Sequence, residues 1–96
     1  MFIANVRFLS PEQGGRRTPP QSGYHPQVKV GAVYTSCEIR NSDTAVVFEF
    51  DKEYRVVLRL LLPELYGHLI APGSLLSFYE GHHLVGKGIV LERQEG

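Results

Sequence analysis

The sequence predicts an all-β fold, a six-stranded antiparallel closed β-barrel, from three observations. Short segments of alternating apolar and polar residues recur along the chain. Turn-forming residues separate these segments, and no stretch has the periodicity of a long helix. Closing the sheet would remove exposed edges, which so small a domain could otherwise protect only with charges or loops. A length of 96 residues is that of one domain, so residues 1–96 are predicted to form a single barrel.

The first strand is predicted at the N-terminus, where Phe2, Ala4, Val6 and Phe8 alternate with other residues and define one buried face. A long loop follows. Residues 10–26 contain four of the six prolines and three of the ten glycines, which excludes regular strand pairing over most of the segment. The composition leaves open whether this loop is ordered or disordered.

Residues 28–39 are predicted to form one strand whose alternation changes phase at Gly31, as a β-bulge would cause. Residues 41–43, Asn-Ser-Asp, are typical of a turn. The apolar and aromatic run AVVFEF at residues 45–50 predicts the next strand. We therefore expect residues 28–39 and 45–50 to form a hairpin.

The second half of the chain contains three more predicted strands. Residues 54–62 alternate most clearly, and Pro63 ends that strand. Residues 63–73 are expected to form a structured connection that begins with one helical turn. Residues 75–79 and 84–91 are predicted to form the closing hairpin, with residues 80–83 as its turn.

Charge and apolar patterning limit the classes of function. The formal net charge is zero, but residues 1–40 hold five basic and two acidic side chains, a local charge of +3. Any nucleic-acid contact should therefore be local and salt-sensitive. No apolar run has the length of a membrane span, and the N-terminus lacks signal-peptide features. With Cys37 as the single cysteine, the chain is expected to be cytoplasmic, without a membrane partner.

Several weak patterns suggest catalysis or cofactor binding, and each lacks a required part. Residues 81–88, GHHLVGKG, resemble a phosphate loop but have no Ser or Thr after Lys87 and precede a strand, so no nucleotide is expected. Adjacent histidines on a strand point to opposite faces and cannot share a metal. Glu49 and Asp51 share a strand face but fit a solvated turn better. We expect no metal, no cofactor and no enzymatic activity.

The segment from residue 14 to residue 27, GGRRTPPQSGYHPQ, carries the strongest functional signal. Two glycines permit a sharp reversal, after which Arg16 and Arg17 can present guanidinium groups to an anion. The following Thr-Pro-Pro stiffens the chain, and Tyr24 can anchor the loop to the barrel. Paired arginines on a surface loop are more often simply solvated, so these residues alone leave both interpretations open.

This segment closely resembles GGRHTPF…GYRPQF, a signature of the third domain of bacterial translation elongation factor Tu. Two further pieces occur in the same order: RFLSPEQGG resembles VYxLxxEEGG, and EGHHLVGKGIV resembles EGGRTVGAGVV. The resemblance covers nearly the whole chain, although residues 31–53 keep little of the family pattern. It implies a six-stranded antiparallel barrel, in agreement with the strand prediction.

The resemblance also implies a role. In the family, this domain is a non-catalytic arm that touches the T stem of aminoacyl-tRNA and packs on the GTPase domain and on the nucleotide-exchange factor. The positions that resemble tRNA contacts are Arg16, Arg17, Gln27, Ser36 and Gly81. Arg17 stands where the family has His, His25 replaces an Arg, and His82 replaces a Gly beside Gly81.

Two functions follow as expectations. The first is a module that binds tRNA or another structured RNA through the GGRRTP loop. The second is a protein-interaction module that docks to, or mimics, a translation GTPase, with that GTPase, its exchange factor or a regulator as partner. The sequence has no phosphate loop, guanine-recognition motif or second barrel, so we do not expect a GTPase. A small-ligand barrel is the weakest alternative, because six short strands enclose an interior filled by side chains.

Overall fold

The structure is a computed structural model in which residues 1–44 and 46–94 are described. Strand and helix bounds follow the chain: β1 Phe2–Phe8, a 3-10 helix Pro11–Gln13, β2 Gln27–Val30, β3 Val33–Asn41, β4 Glu53–Leu60, α1 Pro63–Tyr66, a 3-10 turn Gly67–Leu69, β5 Leu75–Glu80 and β6 His83–Arg93.

The six strands form one closed antiparallel barrel in the order β1-β4-β3-β2-β5-β6. Strand β1 closes it by pairing with both β4 and β6. Every strand of the barrel therefore has a neighbour on each side along at least part of its length, and the predicted fold class is confirmed.

The barrel interior is filled by the apolar face of each strand. Phe8 belongs to this core, with its ring centroid 5.2 Å from that of Phe48 and 6.4 Å from that of Phe78. All three rings are fully buried. Side chains fill the interior, as is usual for a barrel with few strands.

Two glycines of β6 make that packing possible. Gly86 and Gly88 lie opposite Phe8 and Val6 of β1. A Cβ atom on Gly86 would lie 2.9 Å from Cδ1 of Phe8, and one on Gly88 would lie 2.7 Å from the Asn5 carbonyl oxygen. Close packing against β1 therefore explains the two glycines of the GKG sequence at residues 86–88. These residues lie within the predicted strand at residues 84–91.

The predicted bulge at Gly31 is wrong. Gly31 and Ala32 instead form a two-residue turn between β2 and β3, with Val30 paired to Val33. Gly31 has φ +61°, as the first central residue of a type II′ turn requires. A two-residue turn also changes the phase of the alternation, which is why the sequence pattern resembled a bulge.

The predicted strand at residues 45–50, and its hairpin with residues 28–39, are also wrong. Residues 46–50 form an irregular segment with one isolated bridge, Val47 to Gln21, and residue 45 lies outside the described part of the chain. Strand β3 already has β2 on one edge and β4 on the other. The apolar character of this run comes from Phe48, which packs into the barrel and also contacts Tyr54 with ring centroids 5.2 Å apart.

The long loop before β2 is ordered. Backbone hydrogen bonds attach it to the irregular segment and to β3: Phe48 N donates to Pro20 O over 2.8 Å, and Ile39 N donates to Tyr24 O over 2.8 Å. The connection after β4 also forms as expected, with one helical turn that begins at Pro63. Strand β4 ends at Leu60, two residues earlier than predicted.

Candidate functional site

The GGRRTP loop begins with two glycines that the backbone requires. Gly14 has φ +85° and caps the short 3-10 helix. Gly15 is buried, and a Cβ atom there would lie only 2.0 Å from the Leu9 carbonyl oxygen. His83, the first residue of β6, donates a hydrogen bond from Nε2 to the Gly14 carbonyl. The loop is thus held against the β5–β6 hairpin.

Arg16 turns back onto the barrel and does not project into solvent. Its Nη1 atom forms an ion pair with the Glu80 carboxylate, and its Nε atom donates to Thr18 O over 3.1 Å. The guanidinium carbon lies 4.9 Å from the ring centroid of Tyr24. The Tyr24 hydroxyl donates to the same carboxylate. Arg16, Tyr24 and Glu80 therefore form a closed cluster, which we call the anchor cluster.

The pKa values of the anchor cluster reflect its mutual contacts. Burial alone would raise the pKa of Glu80, but the hydrogen bonds from Tyr24 and Arg16 outweigh burial and lower it. Burial and the hydrogen bond to Glu80 raise the pKa of Tyr24. At neutral pH the cluster contains a carboxylate, a neutral phenol and a guanidinium, so the Arg16 charge is paired with that of Glu80.

Arg17 is the exposed cation of the loop. Within residues 1–44 and 46–94, no carboxylate lies within ion-pairing distance of its guanidinium group. Arg17 lies at an open depression of about 560 Å³, whose other walls include Thr18, Glu80 and His83. Of the two guanidinium groups predicted to face an anion, only that of Arg17 is exposed without an ion-pairing partner in the described part of the chain. That of Arg16 is paired with Glu80.

Gln27 and Ser36 are brought together by strand pairing. They lie directly opposite each other on β2 and β3, and both are exposed. On its other side Gln27 pairs with Tyr79 of β5. Tyr79 immediately precedes Glu80, the acidic member of the anchor cluster. Gln27 and Ser36 are thus adjacent in the sheet to the strand that holds the loop.

Gly81 lies at the tip of the β5–β6 hairpin. Gly81 and His82 form its two-residue turn, and Gly81 has φ +61°. Nothing lies within 4 Å of a Cβ built there, so the backbone at this tip is accessible. His82 is exposed beside it. The five positions singled out by the resemblance therefore lie on neighbouring elements: the loop, the β5–β6 hairpin, the start of β2 and the facing residue of β3.

Two residues of this surface were missed from the sequence. The sequence predicts a turn at residues 80–83 and excludes a metal shared by His82 and His83, yet it does not indicate that Glu80 pairs with Arg16 or that His83 binds the Gly14 carbonyl. The contact between Arg16 and Glu80 joins positions 64 residues apart. No local pattern signals such a contact; only the predicted turn at residues 80–83 indicated where the hairpin would be.

The other sequence candidates lie away from this surface or have structural partners. Cys37 is fully buried, and burial raises its pKa to about 12, so the thiol is protonated at neutral pH. Glu49 lies 3.5 Å from Lys52 in a solvated ion pair, as expected for a turn. In the described part of the chain, no three His, Cys, Asp or Glu residues are grouped so that they could hold a metal ion.

Comparison with protein-family models finds none that matches the chain. Among the described residues, no helix is long and apolar enough to cross a membrane.

Proposed function

We propose that this protein is a non-catalytic binding module of translation that contacts tRNA, or another structured RNA, through the surface around Arg17. The observation that carries the proposal is that the residues selected by the resemblance lie on neighbouring elements of the fold. Strand pairing places Gln27 opposite Ser36 and beside Tyr79, two residues before Gly81, and Arg17 shares a depression with Glu80 and His83 of the same hairpin. The resemblance to elongation factor Tu, whose motifs include Arg17, Gln27 and Gly81, supports the proposal. The same resemblance implies that the protein is cytoplasmic.

The charges of this surface fit phosphate contact. Arg17 is exposed and is free to form a bidentate interaction with a phosphate group. Gln27 and Ser36 add neutral hydrogen-bonding groups that commonly contact phosphate and sugar oxygens. Arg16 has a positioning role, since its pairing with Glu80 and Tyr24 holds the loop that carries Arg17. With few cations involved, binding should be weak and should fall steeply with salt.

A protein-interaction module is the second candidate, because the connection after β4 exposes large apolar side chains. Leu61, Leu62 and Leu65 are 55%, 45% and 54% exposed. Exposed apolar side chains that lie close together commonly mark protein-interaction sites. A partner such as a translation GTPase would then dock at this connection, and the loop that carries Arg17 would not be its main contact.

The discriminating experiment is a titration of tRNA with the intact protein at low salt, using Arg17→Gln and, as a charge-matched control, Arg59→Gln. Arg59 is exposed on β4 and lies 4.0 Å from Glu38. We expect Arg17→Gln to weaken binding and to reduce the salt dependence by about one phosphate contact, and the control to leave both unchanged. Absence of binding at low salt, or equal effects of both substitutions, would reject the RNA proposal.

A further inference from the structure

Four of the ten basic side chains have no acidic partner within the described residues. Five others are ion-paired: Arg16, Arg40, Lys52, Arg55 and Arg59. Arg93 binds the Gly67 carbonyl. The remaining four, drawn from residues 1–44 and 46–94, are Arg7, Arg17, Lys29 and Lys87. Arg17 belongs to the loop surface, so three unpaired cations are left to explain.

These three cations lie in one row across the outside of the barrel. Lys29 on β2 pairs with Ser77 on β5, Ser77 pairs with Lys87 on β6, and Lys87 pairs with Arg7 on β1. Four neighbouring strands span about 14 Å at the usual interstrand spacing. We call Lys29, Ser77, Lys87 and Arg7 the basic row.

The basic row lowers the stability of the barrel when no ligand is bound. Lys87 and Arg7 lie directly opposite each other on neighbouring strands, where like charges destabilise a sheet. Glu53 on β4 is the cross-strand neighbour of Arg7, but its carboxylate lies beyond ion-pairing distance of the Arg7 guanidinium group. It marks the end of the row at β4. Neighbouring positive charges of this kind favour a negatively charged ligand.

The row is continuous with the surface around Arg17. Lys29 and Gln27 are both outward-facing residues of β2. The Lys29 Nζ atom lies 5.5 Å from the ring centroid of Tyr34, and Tyr34 contacts Tyr79 edge to face with centroids 5.4 Å apart. Tyr79 pairs with Gln27. The two tyrosines thus link the basic row to the residues that the proposed function uses.

We propose that the basic row is a second phosphate-binding surface. It binds the backbone of the same structured RNA that contacts the Arg17 loop. The inference rests on the proposed function. The row consists of three cations and a hydroxyl group, the groups that most often contact nucleic-acid phosphates. The contact follows the backbone and is independent of base sequence.

The test compares two triple substitutions that remove the same charge. The row variant combines Arg7→Gln, Lys29→Gln and Lys87→Gln. The control combines Arg40→Gln, Arg55→Gln and Arg59→Gln, three exposed arginines whose carboxylate partners are Glu38 and Glu92. Binding of tRNA is measured from about 20 to 200 mM salt, and thermal unfolding verifies that each variant is folded.

We expect the row variant to bind more than about tenfold more weakly at low salt and to lose about three units of the slope of log affinity against log salt. The control variant should keep most of the wild-type affinity and most of the wild-type salt slope. If wild type binds and Arg17→Gln weakens binding, but the row variant equals the control, the basic row is rejected and the proposed function stands. If wild type fails to bind tRNA, both are rejected. Equal affinity for polyglutamate at the same salt would reject RNA as the occupant.

Discussion

Arg16 and Glu80 form an ion pair that ties the GGRRTP loop to the closing hairpin of the barrel. Tyr24 covers the guanidinium group and donates to the same carboxylate, so one acidic side chain organises two residues of the loop. The two neighbouring arginines therefore have different roles. Arg16 holds the loop, and Arg17 is the charge that the loop presents.

Arg16→Ala should lower the free energy of unfolding by about 1 kcal/mol, because a half-buried ion pair and a cation–π contact are both lost. Arg17→Ala, at the next position, should change it by less than about 0.5 kcal/mol, since Arg17 is exposed. Urea denaturation monitored by circular dichroism measures both. Equal effects of the two substitutions would contradict separate roles.

Glu80→Gln should reduce thermal stability at neutral pH and lose that effect in acid. The folded-state pKa of Glu80 is lowered, so its contribution is fully present above the ordinary carboxyl pKa and disappears as the pH falls through the lower folded value. The difference in Tm between wild type and Glu80→Gln should therefore shrink between about pH 7 and about pH 3. The exposed Glu64→Gln is the control. A difference that stays constant with pH would contradict the anchor cluster.

Gly15→Ala should detach the loop from the barrel, because the added Cβ would lie 2.0 Å from the Leu9 carbonyl oxygen, a backbone atom. Overpacking of this kind typically costs about 1–3 kcal/mol. Gly67→Ala is the matched control, since a Cβ there meets only Arg93 Nη2, at 3.9 Å. Proteolysis of the folded protein would report detachment as new cleavage between residues 10 and 26. Unchanged protection in Gly15→Ala would contradict the close approach to Leu9.

Phe48→Ala should destabilise the protein by about 3–5 kcal/mol, the usual cost of removing a fully buried Phe side chain. Val46→Ala, at an exposed position of the same segment, should cost less than about 0.5 kcal/mol. Chemical denaturation distinguishes the two substitutions. Similar costs would indicate that Val46 and Phe48 share one face of a strand, as the predicted strand at residues 45–50 requires.

Much of the fold could be predicted from alternation and turn chemistry. Strand β1 and the closing hairpin agree with the sequence pattern closely, since both combine period-two alternation with clear end signals. The predicted number of six strands is also correct, but two errors compensate. One supposed bulged strand is the β2–β3 hairpin, and one supposed strand is an irregular segment. Local apolarity predicts burial of Phe48, but it does not specify whether the buried chain pairs in a sheet.

The site could be predicted only in part. Glycines, prolines and paired arginines mark the loop in the sequence itself, and the resemblance adds Gln27, Ser36 and Gly81. The partition of roles between Arg16 and Arg17 depends on Glu80, which only barrel closure brings near. The basic row depends on registers between four strands. Such contacts arise from tertiary pairing, which single-sequence periodicity does not encode.

The most direct test of RNA binding through the Arg17 surface is the change in backbone amide chemical shifts of the isotope-labelled protein when tRNA is added at low salt. We expect shifts at residues 14–18, 27–29 and 79–83, with reversal on addition of salt. Shifts confined to residues 61–69, where the exposed leucines lie, or no shifts at all, would contradict RNA binding at this surface.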